Sequence, residues 1–212
     1  MNMLKLIKYF FLPPCDVEAL PVELQQSGER PILHLLRRDL EKIYDKEGIY
    51  HTCKPIKHGP PMLVCAGILM GIDMLSRFFV AECKRAKKRK RIPDGERFKI
   101  YLTRIGGLPR KEANFLWAFR CALSHSYGLV LRTRSSKKTG VILTTDNKMS
   151  HWLVENNKGK IKHFTINMWG LKKLFFDLIQ KAKSVLNNNK RTLIRKRFRD
   201  HYNSHGFIVV LK

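Results

Sequence analysis

The chain has 212 residues, 44% of them hydrophobic, enough to bury a core and to exclude a polymer that stays disordered throughout. Its 42 lysines and arginines stand against 17 aspartates and glutamates, a net charge of +25, far beyond what solubility requires. Such an excess points to an acidic polymer as partner, because each neutralised phosphate releases counterions and binding grows with every basic contact. Nucleic acid comes first and an anionic membrane surface second.

Cysteines at 15, 53, 65, 83 and 121 are odd in number and show no paired spacing, which argues for a reducing, cytoplasmic setting. His51, Cys53, His58 and Cys65 are the best metal candidates, but their spacing fits no common zinc module. Ordinary loop and core roles are expected for them, with no metal and no cofactor. The opening segment carries lysines inside its apolar run and has no small-residue cleavage site, so it is not read as a signal peptide.

Residues 3 to 12 alternate loosely before Pro13-Pro14, which predicts a short strand or an extended arm. From Arg30 to Lys46, Ile32, Leu35, Leu36, Leu40, Ile43 and Tyr44 fall on one helical face, with Gly48 as a stop. Met62 to Val80 is apolar almost all round. A membrane span is within its length, but Asp73 and Arg77 interrupt it and its flanks give no clean boundary, so a central buried helix is expected. A carboxylate inside such a helix needs a partner. Arg120 or His125 across the core, or Arg77 one turn on, are the candidates for Asp73.

Lys84, Arg85, Lys87, Lys88, Arg89, Lys90 and Arg91 make seven basic residues in eight. Phosphate-backbone binding is the reading taken, with a nuclear-targeting signal or plain solvated surface as the alternatives. Asp94 is placed as the cap of a helix carrying Phe98, Tyr101, Leu102 and Ile105, which stops at Gly106-Gly107. Pro109 then opens a helix whose Phe115, Leu116, Phe119, Ala122 and Leu123 follow the period of a buried face. Beyond Tyr127, segments 141–145, 152–155 and 161–166 read as short strands, the last two joined by a turn at 156–159. Asn167 caps a helix with Leu171, Leu174, Phe175, Leu178, Ile179 and Ala182 on one side, and Asn187-Asn188-Asn189 breaks it. Lys190 to Arg199 has six basic residues in ten, with Leu193, Ile194 and Phe198 between them. Such a helix lies on phosphates or lipid, or docks its apolar stripe; Arg195, Lys196 and Arg197 are the nucleic-acid candidates. Phe207 to Leu211 reads as an edge strand.

The stretch Phe115 to Leu129 sets Arg120, His125 and Tyr127 into an otherwise apolar segment, and those are costly groups to bury. An arginine keeps its proton and aims five donors at acidic oxygens, while a histidine changes charge near neutral pH. Arg120, four residues, then His125-Ser126-Tyr127 resembles the Arg-x4-6-His motif of the HEPN superfamily, in the longer Arg-x4-His-x-Tyr form of HEPN toxins paired with a nucleotidyltransferase antitoxin. The preceding apolar run with Gly-Ile-Asp-Met-Leu at 71 to 75 follows the same helix order. The resemblance covers roughly residues 30 to 129.

That resemblance implies a mainly α fold, an antiparallel HEPN-like bundle, and the residue pattern beyond 129 adds a small β-hairpin or three-stranded insertion and a basic C-terminal helix that the all-helical core does not explain. The expected divisions are an N-terminal arm (1–29), the helical core (30–129), a small β region (130–166) and C-terminal helices with a basic tail (167–212). It implies a metal-independent endoribonuclease, a toxin or defence effector, acting on RNA from a homodimer and needing no membrane. His125 would move the proton and Arg120 would hold the phosphoryl oxygens, with Asp73, Ser124 and Tyr127 in support. Tyr127 matches the tyrosine that the paired nucleotidyltransferase modifies with AMP. The alternative is a non-catalytic HEPN protein that binds nucleic acid. Five residues on a straight helix, at about 100° each, leave the side chains of Arg120 and His125 about 140° apart. Either the helix ends or kinks near Ser124, or two copies of the motif build one groove. Cys121 follows Arg120 where HEPN nucleases commonly carry a polar residue, and a thiol is a poor hydrogen-bond donor.

Overall fold

The structure is a computed structural model. It describes residues 3–11, 29–31, 33, 61–80, 92–126, 130–132, 138–144, 149, 151–158, 161–205 and 207–209. In chain order the elements are helix α1 (Met3–Phe10), strand β1 (Glu29–Pro31), helix α2 (Pro61–Phe79) and helix α3 (Asp94–Ile100) with a π-helical continuation (Tyr101–Ile105). Helix α4 (Arg110–Ser126) follows, then strands β2 (Val130–Arg132), β3 (Lys138–Thr144), β4 (Leu153–Lys158) and β5 (Ile161–Asn167). Helices α5 (Met168–Asn187) and α6 (Thr192–His205) and strand β6 (Phe207–Val209) complete the series. The described residues are mostly helical, with a small sheet set among the helices.

Helix α2 is the centre, and it touches α3, α4, α5 and α6. Val64, Cys65, Ile68, Leu69, Ile72, Leu75, Phe78 and Phe79 are all buried, which is why its sequence is apolar on nearly every side. By length and composition Met62–Phe79 could also cross a membrane, yet most of it is covered by the rest of the fold. At its C-terminal end the ring of Phe78 meets Phe10 at 4.8 Å and Phe198 at 5.8 Å, so an aromatic cluster ties α1 and α6 to α2.

Residues 3–10 are helical, not the strand or extended arm expected. Leu6, Ile7, Phe10 and Phe11 are buried, and that spacing gathers on one side of a helix. Helical packing against Phe78 and Phe198 outweighs a weak alternation. The helix expected from Arg30 also starts differently, since 29–31 is a strand paired antiparallel with β6. Pro31, with no N–H to donate, suits such an edge. Leu33 beyond it is helical and buried, and the rest of that segment lies outside the described residues.

Pro93, not Asp94, holds the cap position of α3, and no side chain caps it. Its carbonyl accepts from the N–H groups of Glu96 and Arg97, while Asp94 stands inside the first turn and pairs with Arg97 at 3.3 Å. An acidic residue there suits the positive end of the helix equally well. The expected stop is found: Gly106 N–H returns to the Tyr101 carbonyl at 3.1 Å, and Gly107 has φ +74°, where a side chain would be strained.

The three expected strands pair in one sheet, and the short β2 extends it to four in the order β2-β3-β5-β4. β4 and β5 form the expected hairpin, whereas β3 runs parallel to β5. Phe164 of β5 stacks 4.5 Å from Phe115 of α4, and Lys111 of α4 reaches Glu155 of β4 at 2.7 Å. The sheet is thus fixed to the beginning of the motif helix. Asn167 caps α5 as expected, its side chain accepting from the N–H groups of Trp169 and Gly170. Leu171, Phe175, Leu178, Ile179 and Ala182 are buried along that helix.

Candidate active site

Helix α4 has two working faces. Phe115, Leu116, Phe119 and Leu123 are buried in the core, while Trp117, Arg120, Cys121 and Ser124, spaced i, i+3, i+4 and i+7, share the other side. Across from that second face stands Asp73 of α2, only 6% exposed. Its Oδ2 accepts a hydrogen bond from Arg120 Nη2 at 3.1 Å and lies 3.7 Å from Arg77 Nη2. Both arginines considered for this carboxylate therefore converge on one oxygen, and Arg120 is the closer.

Trp117 covers the other side of the arginine, with the Arg120 guanidinium carbon 5.3 Å from the ring centre, a cation–π distance. Trp117 is itself held by Phe98 at 5.5 Å and by Gly95, where a Cβ would come within 2.6 Å of the indole. The cation is clamped between a carboxylate and an aromatic plane. Asp73 Oδ1 and Arg120 Nε are buried and have no hydrogen-bond partner among the described residues.

Burial pushes the Cys121 thiol above its ordinary range, against the pull of the Arg120 guanidinium beside it. It stays protonated at neutral pH, which leaves little thiolate to act as a nucleophile. No family model, curated protein or solved structure matches this chain.

The other expected site residues fall into three groups. His125 and Ser126 belong to the last turn of α4, Ser124 is exposed there, and the side chain of His125, like all of Tyr127, lies outside the described residues. Helix α4 ends at Ser126, two residues past Ser124, with the Arg120 and His125 positions both inside it, where ideal helical geometry sets them about 140° apart. The basic run Lys84 to Arg91 lies outside the described residues.

Arg195 and Lys196 line a cleft with Arg199, but Arg197 turns the other way and donates to the Arg77 carbonyl at 3.5 Å. On the same helix Leu193 is 81% exposed, not part of a docked stripe; Phe198 and Tyr202 do that packing. Of the metal candidates, His51, Cys53 and His58 lie outside the described residues. Cys65 is buried with its thiol donating to the Met168 sulfur at 3.3 Å, and burial pushes its pKa up to about 12. Among the described residues no three His, Cys, Asp or Glu side chains gather in a group that could hold a metal ion. Sequence reasoning missed Trp117, although its place three residues before Arg120, with Cys121 and Ser124 completing the row, was the signal.

Proposed function

We propose that this chain is a metal-independent endoribonuclease of HEPN type, a toxin or defence effector whose composite Arg120/His125 site forms between two copies. The observation that carries the reading is the buried Asp73 carboxylate fixing Arg120 at 3.1 Å on the helix that also bears His125. Asp73 takes one of five guanidinium donors, and the planar fork retains others for phosphoryl oxygens. Asp73 and Trp117 are positioning residues. His125 takes the proton of a ribose 2′-hydroxyl, the 2′-oxygen attacks phosphorus, and the 5′-oxygen departs with a proton from the second imidazole, leaving a cyclic phosphate. The unbroken α4 favours two copies over one, because a single straight helix cannot bring both groups to one phosphate. Tyr127, on the same resemblance, is where a nucleotidyltransferase partner would act.

A second reading, a non-catalytic HEPN protein that binds nucleic acid, is favoured by the charge Arg120 shares with Asp73 and by the neutral thiol at Cys121. Labelled RNA incubated with purified protein in EDTA separates them. The nuclease cleaves despite the chelator, and both His125→Ala and Arg120→Ala abolish cleavage. RNA left intact by the wild type, but shifted on a gel equally by His125→Ala and not after neutralising Lys84 to Arg91, establishes the binder instead.

A further inference from the structure

Helix α6 begins beside a cleft of about 370 Å³ that no part of the proposed chemistry uses, lined by Met3, Asn189, Thr192, Arg195, Lys196 and Arg199. Thr192, Arg195, Lys196 and Arg199 are spaced i, i+3, i+4 and i+7, so one side of the helix delivers a hydroxyl and three cations to the same hollow. Phe198 and Tyr202, both fully buried, hold the helix to the core and fix the direction in which that side faces. Arg195 is further steadied by donating to the Asn189 side-chain carbonyl. None of the three cations has an acidic partner among the described residues, whereas Arg97, Arg110, Lys111 and Arg120 all do. Three positive charges converging with no counter-ion among the described residues repel one another, and an anion between them relieves that cost.

We propose that this cleft is a phosphate subsite that seats one nucleotide unit of a single-stranded RNA, away from the Asp73–Arg120 pair. The inference rests on the nucleic-acid reading of the chain and names where the strand is held. The cleft is an open hollow on the surface and not an enclosed cavity, wide enough to admit a nucleotide unit beside its phosphate. Arginine forks and a threonine hydroxyl match phosphoryl oxygens, and the Met3 thioether gives an apolar floor for a ribose or base. A lipid headgroup offers the same phosphate, but among the described residues Met3 is the one apolar side chain in the lining, and the exposed Leu193 lies about 100° round the helix from Thr192.

The test uses a short labelled 2′-O-methyl RNA, which lacks the attacking hydroxyl and survives any nuclease activity, with binding followed by anisotropy across potassium chloride concentrations. The full chain is compared with the triple variant Arg195→Ala/Lys196→Ala/Arg199→Ala and with a control of equal charge loss, Arg104→Ala/Lys173→Ala/Lys183→Ala, all checked for folding by circular dichroism. Support is a weakening of about tenfold or more in the triple variant alone, with a slope of log affinity on log salt shallower by about 1 to 2. Equal weakening in both triples, or none in either, overturns the subsite. If RNA does not bind at all, inorganic pyrophosphate and phosphatidylserine vesicles are titrated in its place. Pyrophosphate binding lost only in the triple variant upholds the phosphate site while the RNA reading falls. Binding to vesicles alone, or to nothing, overturns both.

Discussion

At the residue scale the Asp73–Arg120 pair is the group whose removal has the most specific consequence. Asp73→Asn leaves a guanidinium clamped against Trp117 with its carboxylate gone, and breaking a buried ion pair costs about 3 to 5 kcal/mol. The Arg120 side chain is 23% exposed and keeps some hydration, so about 2 to 3 kcal/mol is the expected loss by urea denaturation. Arg77→Ala should cost under about 1 kcal/mol, because that pair is longer and Arg77 is 43% exposed. If the two variants were equally destabilised, Asp73 would not be serving Arg120 in particular. The sequence announced that Asp73 needed a cation but left the choice open, since i+4 spacing names Arg77 while only the packing of α4 on α2 brings Arg120 nearer.

Cys65 gives a second residue-scale prediction. Its pKa rises from the ordinary 9.0 to about 12 in the fold, so the folded chain holds the thiol proton more tightly than the unfolded one does. The associated stability is fully present below pH 9 and is lost as pH climbs from about 9 towards 12. Cys65→Ala, though less stable at neutral pH from the cavity it leaves, should therefore lose less stability than the wild type between pH 8 and pH 10.5. Parallel pH profiles of the two in chemical denaturation would remove burial as the cause.

Among the elements, helix ends and strand pairings differ in how much of them is local. Asn167 is read directly from sequence because a cap is a contact with the next three residues, and here it accepts from Trp169 and Gly170 at 3.0 and 3.3 Å. Asn167→Ala should lower stability by about 1 to 2 kcal/mol, visible as a lower thermal midpoint with the helical circular-dichroism band intact. A change below about 0.3 kcal/mol would mean that the start of α5 is fixed by Trp152 and Met168 packing, without the cap. Helix α1 shows the opposite case. Its lysines at 5 and 8 blur the apolar pattern, and only contact with Phe78, Phe198 and Tyr202 decides between strand and helix. The parallel pairing of β3 with β5 was equally hidden, since the strands are separated in sequence by β4 and no local signal encodes their register.

For the whole molecule, the central question is how a motif split over an unbroken helix becomes one site. The apolar α2 and the motif order could be read from the chain, whereas the relation between two chains is written in no single sequence. If two copies meet so that each supplies an arginine and a histidine to a shared groove, Arg120→Ala and His125→Ala chains are each inactive alone. Denatured together and refolded, they form mixed dimers holding one intact arginine and one intact histidine. Those dimers keep an imidazole to take the 2′-hydroxyl proton while water must protonate the leaving oxygen, so they should regain weak cleavage of labelled RNA, in proportion to the mixed fraction measured by native mass spectrometry. A site within one chain cannot be rescued this way, because neither variant chain holds both residues. A wild type that cleaves while sedimenting as a single chain would rule out the composite groove, and mixed dimers that form but cleave nothing would show that both imidazoles are required.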